Sequence, residues 1–284
     1  MSSPEPERFR MSLSALTPSS PIVLIGAGKM GGALLTGWLA SGLDPKAVLV
    51  VDPNPPAETL TLLAGHGVRH ETSAPENVTA RVLLLAVKPQ MMGAALPAVR
   101  ALIGPETVTV SIAAGTTIAT LETALGGAIV RTMPNTPAQV GRGMTGAFAN
   151  AAVTDADRAI VDALLAAVGE VGWVDSESLI DTVTAVSGSG PAYVFLLVEA
   201  LAAAGVEAGF SPELAARFAR QTIVGAGELL NQSPLPADTL RKNVTSPGGT
   251  TAAALEVLMA EDGLAPLMAK AVAAAKRRAE ELAG

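Results

Sequence analysis

Between residues 22 and 174, short β-branched runs alternate with Ala/Leu-rich stretches whose apolar positions recur at helical spacing. The runs at 22–25, 48–52, 82–87, 107–112 and 128–132 predict strands buried on both faces. The stretches near 29–40, 57–64, 91–102 and 117–125 predict helices between them. Regular alternation of this kind implies right-handed crossovers and a parallel, doubly wound sheet. Further strands are expected at 144–149 and 171–174, around a helix at 155–168. Beyond Trp173 the strand signal vanishes, and helices are predicted near 179–186, 191–208, 212–231, 250–259 and 266–282. Ser211-Pro212 is a helix start, an N-cap residue followed by proline at the first helical position. The segment 191–208 is apolar nearly all the way round, so burial against a second copy of the chain is expected.

The fold class is therefore α/β followed by an all-helical domain. The expected divisions are a tail at 1–20, a nucleotide-binding type of sheet domain at 21–175 with its boundary near Asp175, and a helical domain at 176–284. A chain of 284 residues has room for both. The tail is rich in Ser and Pro and lacks an apolar signal-peptide core; it reads as disordered, or as sequence ahead of a true start at Met11 rather than Met1.

Composition narrows the function classes. A formal charge of −7 and only eight aromatic residues argue against a nucleic-acid partner. Nearly half the residues are apolar, yet no uncharged apolar run reaches bilayer length, since the richest, 191–210, contains Glu199 and Glu207. No membrane partner is expected. The absence of cysteine excludes disulfides and thiolate metal sites and permits a reducing compartment, and with no signal-peptide core in the tail a cytoplasmic location is expected. His66 and His70 are four apart, but Gly65 and Gly67 flank the first; a surface turn is preferred and no metal site is expected.

Gly26-Ala27-Gly28-Lys29-Met30-Gly31 follows a predicted strand and opens a predicted helix, the setting of a Rossmann-type dinucleotide fingerprint. Asp52, about twenty residues on, can accept hydrogen bonds from an adenosine ribose and would repel a 2′-phosphate. Asn54 is its one polar helper nearby, so the pattern leans toward NADH unless Asp52 turns outward ahead of Pro53. Ala86-Val87-Lys88-Pro89 and Ala113-Ala114-Gly115 end later strands and should line the cleft, as should the loop carrying Pro134 and Asn135. Lys88 reads equally as a ribose or phosphate contact and as a solvated loop residue.

A second loop stands far downstream, Ser246-Pro247-Gly248-Gly249-Thr250-Thr251, at the start of a predicted helix whose free N–H groups favour a carboxylate or phosphate. Reducing a ketone would need a proton donor such as His, Tyr or Lys. Tyr193 is the only tyrosine, both histidines fall in the first domain, and no lysine lies between Trp173 and Lys242. A protonated imine already carries its proton, so this inventory favours C=N over C=O reduction.

The chain resembles the Δ1-pyrroline-5-carboxylate reductases from residue 22 to 282. The resemblance is carried by Gly26–Gly31 with Met30, residues 86–90 and 131–137, Thr184-Ala185-Val186-Ser187-Gly188-Ser189-Gly190-Pro191-Ala192-Tyr193, residues 221–226 and Val244–Thr251. It implies hydride transfer from NAD(P)H to C5 of the cyclic imine, giving L-proline, with an all-helical dimerisation domain after the Rossmann-type sheet. By position, Ser246, Gly248, Gly249, Thr250 and Thr251 would bind the substrate carboxylate, and Thr251 would hydrogen-bond the ring nitrogen and assist its protonation. Residues 26–31, Lys88, Ala113 to Gly115, Pro134 and Asn135 would line the cofactor site. The family implies a homodimer with interlocked helical domains, assembled further into a ring such as a decamer. Asp52-Pro53-Asn54 and Thr72-Ser73-Ala74-Pro75 depart from the family's usual segments, which sets the NADH lean against the family's common NADPH preference. A β-hydroxyacid dehydrogenase would place a lysine early in the helical domain, where none occurs. A regulatory dinucleotide-binding protein would not need the late loop.

Overall fold

The computed structural model describes Leu13 and residues 15–283. The described residues divide into two compact units, one running to residue 188 and including 275–283, the other 189–274.

The first unit is built on an eight-stranded sheet: β1 (Ile22–Ile25), β2 (Val48–Val51), β3 (Arg69–Glu71), β4 (Val82–Leu85), β5 (Val108–Ser111), β6 (Ala128–Met133), β7 (Gly143–Ala149) and β8 (Gly169–Trp173). Its order is β3-β2-β1-β4-β5-β6-β7-β8. Helices α1 (Lys29–Ala40), α2 (Ala57–His66), α3 (Met92–Val99), α4 (Ile118–Leu125) and α5 (Asp155–Ala166) connect the strands. β1 to β6 pair in parallel, as the alternation predicts. β7 departs from that pattern and runs antiparallel to β6, because residues 134–142 hold only a short 3₁₀ turn, too short for a parallel crossover. β3 escapes the hydrophobic pattern altogether: it is a three-residue polar edge strand, Arg69-His70-Glu71.

Side chains alternate across the central strands, so Leu24, Val50 and Leu84 enter one apolar layer and Val23, Leu49 and Leu83 the other. Trp38 of α1 is fully buried and its indole N–H donates to the Leu164 carbonyl of α5 at 2.8 Å. The expected tail is shorter than twenty residues, because Leu13 and Leu16 are buried in the first of these layers and Thr17 bridges to Ser20. The rest of the expectation, residues 1–12 and 14, lies outside the described residues.

The compact sheet unit runs on past the expected boundary near Asp175, as far as Gly188. The reason is a set of polar ties holding residues 177–188 to the sheet. Buried Arg131 of β6 meets Glu177 at 2.9 Å and Asp181 at 3.4 Å, and the same Glu177 oxygen accepts the Ile118 N–H at the start of α4. Asp181 sits on a short helix, α6 (Leu179–Val183), which runs into a π-turn at Thr184–Gly188.

The second unit contains α7 (Gly190–Glu207), α8 (Pro212–Gln232), α9 (Ala237–Asn243), α10 (Thr250–Leu258) and most of α11 (Leu264–Ala283), whose last turns belong with the sheet unit. The short polar α9 has no apolar period to reveal it in the sequence. α7 and α8 pack through small residues, with Ala215 beside Gly205, and through stacked Phe210 and Phe218. No residue of α7, α9, α10 or α11 is buried in the single chain, and Phe195, Leu196 and Leu267 are each more than 60% exposed. By length and composition alone the run Leu179–Glu207 is apolar enough to cross a membrane, although it carries Asp181, Glu199 and Glu207.

Asp157 ties α5 to the sheet. Burial raises its pKa, but hydrogen bonds from the Thr154 hydroxyl and N–H and from Arg81, 2.7 Å away, outweigh this and hold the pKa below its ordinary value of 3.8. A folded-state pKa below the unfolded one stabilises the protein above the unfolded value, and the stabilisation is lost as pH falls. Asp157→Asn is expected to lower unfolding stability by about 1–3 kcal/mol at pH 7. Urea titration should show the gap between variant and wild type closing as pH drops below 3.8.

Candidate active site

β1 lies between β2 and β4, so the chain leaves its two sides in opposite directions and opens a crevice at the strands' carboxyl ends. The turn from β1 into α1 sits at that point. Gly26 has a φ of +88°, and a Cβ on Gly31 would collide with the Gly26 carbonyl. Both glycines are thus required by the turn itself. Gly28 is different: a Cβ there would meet nothing within 4 Å, and its backbone is extended. α1 begins at Lys29 with Gly28 as a cap that has no side chain, so its first N–H groups face the crevice without a side-chain partner. This is a cradle suited to a pyrophosphate.

The Ala27 peptide between these glycines is held from both sides. Its N–H donates to Asp52 Oδ2 at 2.7 Å, and its carbonyl accepts from the buried Thr59 hydroxyl at 3.0 Å. Asp52 Oδ1 accepts the Asn54 N–H at 2.8 Å. The carboxylate therefore faces the glycine turn and does not turn outward. His66 ends α2, whereas His70 lies on β3, so they do not share a helix. His70 Nε2 lies 2.8 Å from the Asp52 carbonyl, which can only accept, so the proton is on Nε2.

The remaining predicted loops fall at the same sheet edge. The Ala86 N–H donates to the Ile25 carbonyl, placing residues 86–89 beside the glycine turn, with Lys88 exposed. Ala113 is buried, and Gly115 has a φ of +73° with the Leu282 carbonyl of α11 2.7 Å from where its Cβ would stand. Pro134 and Asn135 follow β6, Pro134 buried and Asn135 with its side chain bonded within the unit. Sequence reasoning missed Thr59 and Arg131, because their partners lie 32 to 50 residues away.

The downstream loop is in the other unit. Gly248 has a φ of +68°, the Gly249 N–H closes a turn onto the Ser246 carbonyl at 3.0 Å, and Thr245 Oγ1 donates to the Arg241 carbonyl. Gly249 caps α10 without a side chain, so the free donors of this helix end run from Thr250 onward, next to the Ser246 and Thr251 hydroxyls.

Residues 177–282 match the family described as pyrroline-5-carboxylate reductase dimerisation, and residues 21–115 match that described as NADP oxidoreductase coenzyme F420-dependent. The pyrroline-5-carboxylate reductase of Pseudomonas aeruginosa is 43% identical over 266 residues, covering 92% of this chain and 96% of that protein. This chain belongs to the pyrroline-5-carboxylate reductase family. A solved structure of the family's protein from Coxiella burnetii superposes with a TM-score of 0.86 at 37% identity, covering 94% of this chain and 99% of that one. The Plasmodium falciparum pyrroline carboxylate reductase, solved with NADP bound, gives 0.77 at 30% identity over 94% and 100% of the two chains. An NAD(P)H cofactor fits the glycine cradle described above: open at Gly28, closed by protein at Gly26 and Gly31.

That contrast separates folding from binding. Gly31→Ala is expected to lower the melting temperature, because its Cβ meets backbone. Gly28→Ala should reduce stability by no more than about 1 kcal/mol, the difference between a glycine and an alanine cap. It should nonetheless weaken NAD(P)H binding in a fluorescence titration by roughly tenfold, through contact with the pyrophosphate. Unchanged affinity in Gly28→Ala would remove the cradle.

Proposed function

We propose that the sheet-edge loops hold NAD(P)H and that residues 246–251 hold the substrate in the family's reaction, reduction of L-1-pyrroline-5-carboxylate to L-proline, the last step of proline biosynthesis. The observation that carries the residue assignment is the uncapped start of α10 beside Ser246 and Thr251, a carboxylate-sized set of donors. When bound, the nicotinamide supplies the hydride that C5 of the imine accepts. The chain's own part is to bind and orient. In this reading the N–H groups from Thr250 onward and the Ser246 hydroxyl take the carboxylate, with Gly248 and Gly249 shaping the loop. Thr251 donates a hydrogen bond at the ring nitrogen and keeps its proton in place. No strong acid is demanded, because the imine nitrogen is already protonated and the product amine is stable.

On the cofactor side, residues 26–31 face the pyrophosphate, and Asp52 with Asn54 faces the adenosine ribose. Residues 86–89, 113–115 and Pro134 line the rest. With Ala27 and Asn54 fixing both oxygens, the Asp52 carboxylate is a stationary negative charge with lone pairs left for ribose hydroxyls, which supports preference for NADH over NADPH.

Homodimer formation through the helical unit belongs to the same proposal, as do a higher ring such as a decamer, a cytoplasmic setting and the lack of a membrane or nucleic-acid partner. The exposed face of α7 supports the dimer, because each large apolar side chain gains roughly 1.5–3 kcal/mol on full burial. The match of residues 177–282 to a dimerisation domain favours a second copy over lipid as the cover.

Steady-state assays test the assignment. Thr251→Ala is expected to lose about 10²-fold in kcat/KM, the scale of one well-placed donor, with NAD(P)H affinity retained. Equal activity in the variant would end its catalytic role. Wild type should show the higher kcat/KM with NADH, and Asp52→Ser should shift the NADPH-to-NADH ratio upward by about tenfold or more. Light scattering after size exclusion, without detergent, should give a dimer or a multiple of it; a monomer would count against the covered α7 face.

A further inference from the structure

The Asn135 carboxamide has a partner for each of its functions inside the protein. Its Nδ2 lies 3.2 Å from both the carbonyl and the hydroxyl of Ser187, and its Oδ1 accepts the Met144 N–H at 2.9 Å. The Ser187 hydroxyl in turn reaches the Met144 carbonyl at 3.4 Å. One side chain thus joins the loop after β6, the start of β7 and the π-turn Thr184–Gly188.

The sequence explains why a carboxamide is needed. In a continuing α-helix the Ser187 carbonyl would accept from residue 191, but Pro191 has no N–H. The next amide, Ala192, bonds the Ser189 carbonyl at 3.0 Å instead. The Ser187 carbonyl is therefore left without a helical donor, and Asn135 supplies one. Met144 has the opposite need. It lies beyond the last β6–β7 pair, Met133 with Gly146, so its N–H has no acceptor on β6. Only a side chain offering one donor and one acceptor meets both demands; aspartate would set an oxygen against the Ser187 carbonyl.

We propose that Asn135 is a positioning residue: from the cofactor edge of the sheet it fixes the π-turn that leads into α7, and it does not act by binding the cofactor. This rests on the reading of that sheet edge as the NAD(P)H cleft. The π-turn ends at Gly188, the last residue of the sheet unit before the helical unit begins. Hydride transfer is sensitive to the placement of the reacting groups, with misplacement of about 1 Å costing on the order of 10²-fold in rate.

The test compares Asn135→Asp, Asn135→Ala, Pro191→Ala and the Asn135→Ala/Pro191→Ala double variant, with melting temperature, NAD(P)H dissociation constant and kcat measured for each. Asn135→Asp and Asn135→Ala are expected to keep the dissociation constant within about threefold of wild type while kcat falls about tenfold or more. In the double variant, residue 191 has an N–H for the Ser187 carbonyl, and kcat should recover several-fold over Asn135→Ala alone. Should Asn135→Asp fail to fold, the Asn135→Ala and double-variant pair reads the same coupling. A dissociation constant that rises in step with the loss of kcat/KM would overturn the proposal in favour of direct cofactor contact. An unchanged kcat, or no recovery in the double variant, would overturn it too. Wild type that failed to bind NAD(P)H would instead remove the reading of the cleft.

Discussion

The Ala27 peptide is the point on which the cofactor edge depends. Its N–H is taken by Asp52 at the end of β2 and its carbonyl by Thr59 of α2, so the turn between β1 and α1 is fixed from the neighbouring βα unit. Gly31 must be glycine for the helix to start so close to the Gly26 carbonyl. With this turn fixed, the first N–H groups of α1 point along the crevice and the Asp52 charge has one location. The same carboxylate thus holds the glycine turn and is the charge on which the proposed cofactor preference rests.

The two units meet their energetic needs differently. The sheet unit buries both faces of its strands under helices and ties its polar interior with Arg131, Glu177, Asp181 and Asp157. The helical unit has almost no interior of its own. Only Ala215 and Ala219 of α8 are buried in it, while α7 exposes a full apolar surface. A helix hydrophobic all round is stable only when covered. The single chain does not supply that cover, and residues 177–282 match a dimerisation family.

The parallel strands were legible because each is a short run of apolar, mostly β-branched residues between helices of clear period, and most bounds agree to within two residues. What periodicity could not see was whatever carries no apolar signal: the edge strand Arg69–Glu71, the short helix Ala237–Asn243, and the antiparallel turn of β7, which depends on loop length. Of the proposed site residues, the glycine turn, Asp52 and the late loop are legible from spacing, since each is local in sequence. Thr59, Arg131 and the double duty of Asn135 could not, because each depends on a partner dozens of residues away.

The sequence by itself determined the two-part architecture and the glycine turn, and its inventory of proton donors favoured an imine, since these follow from local period, local glycine geometry and residue content. Only the tertiary structure decided which way Asp52 faces and where the first unit ends. It alone revealed that Asn135 serves a carbonyl orphaned by Pro191. Those outcomes depend on which buried polar groups meet across the fold. A buried donor or acceptor is fixed by its partner, and the chain chooses partners only once it has folded.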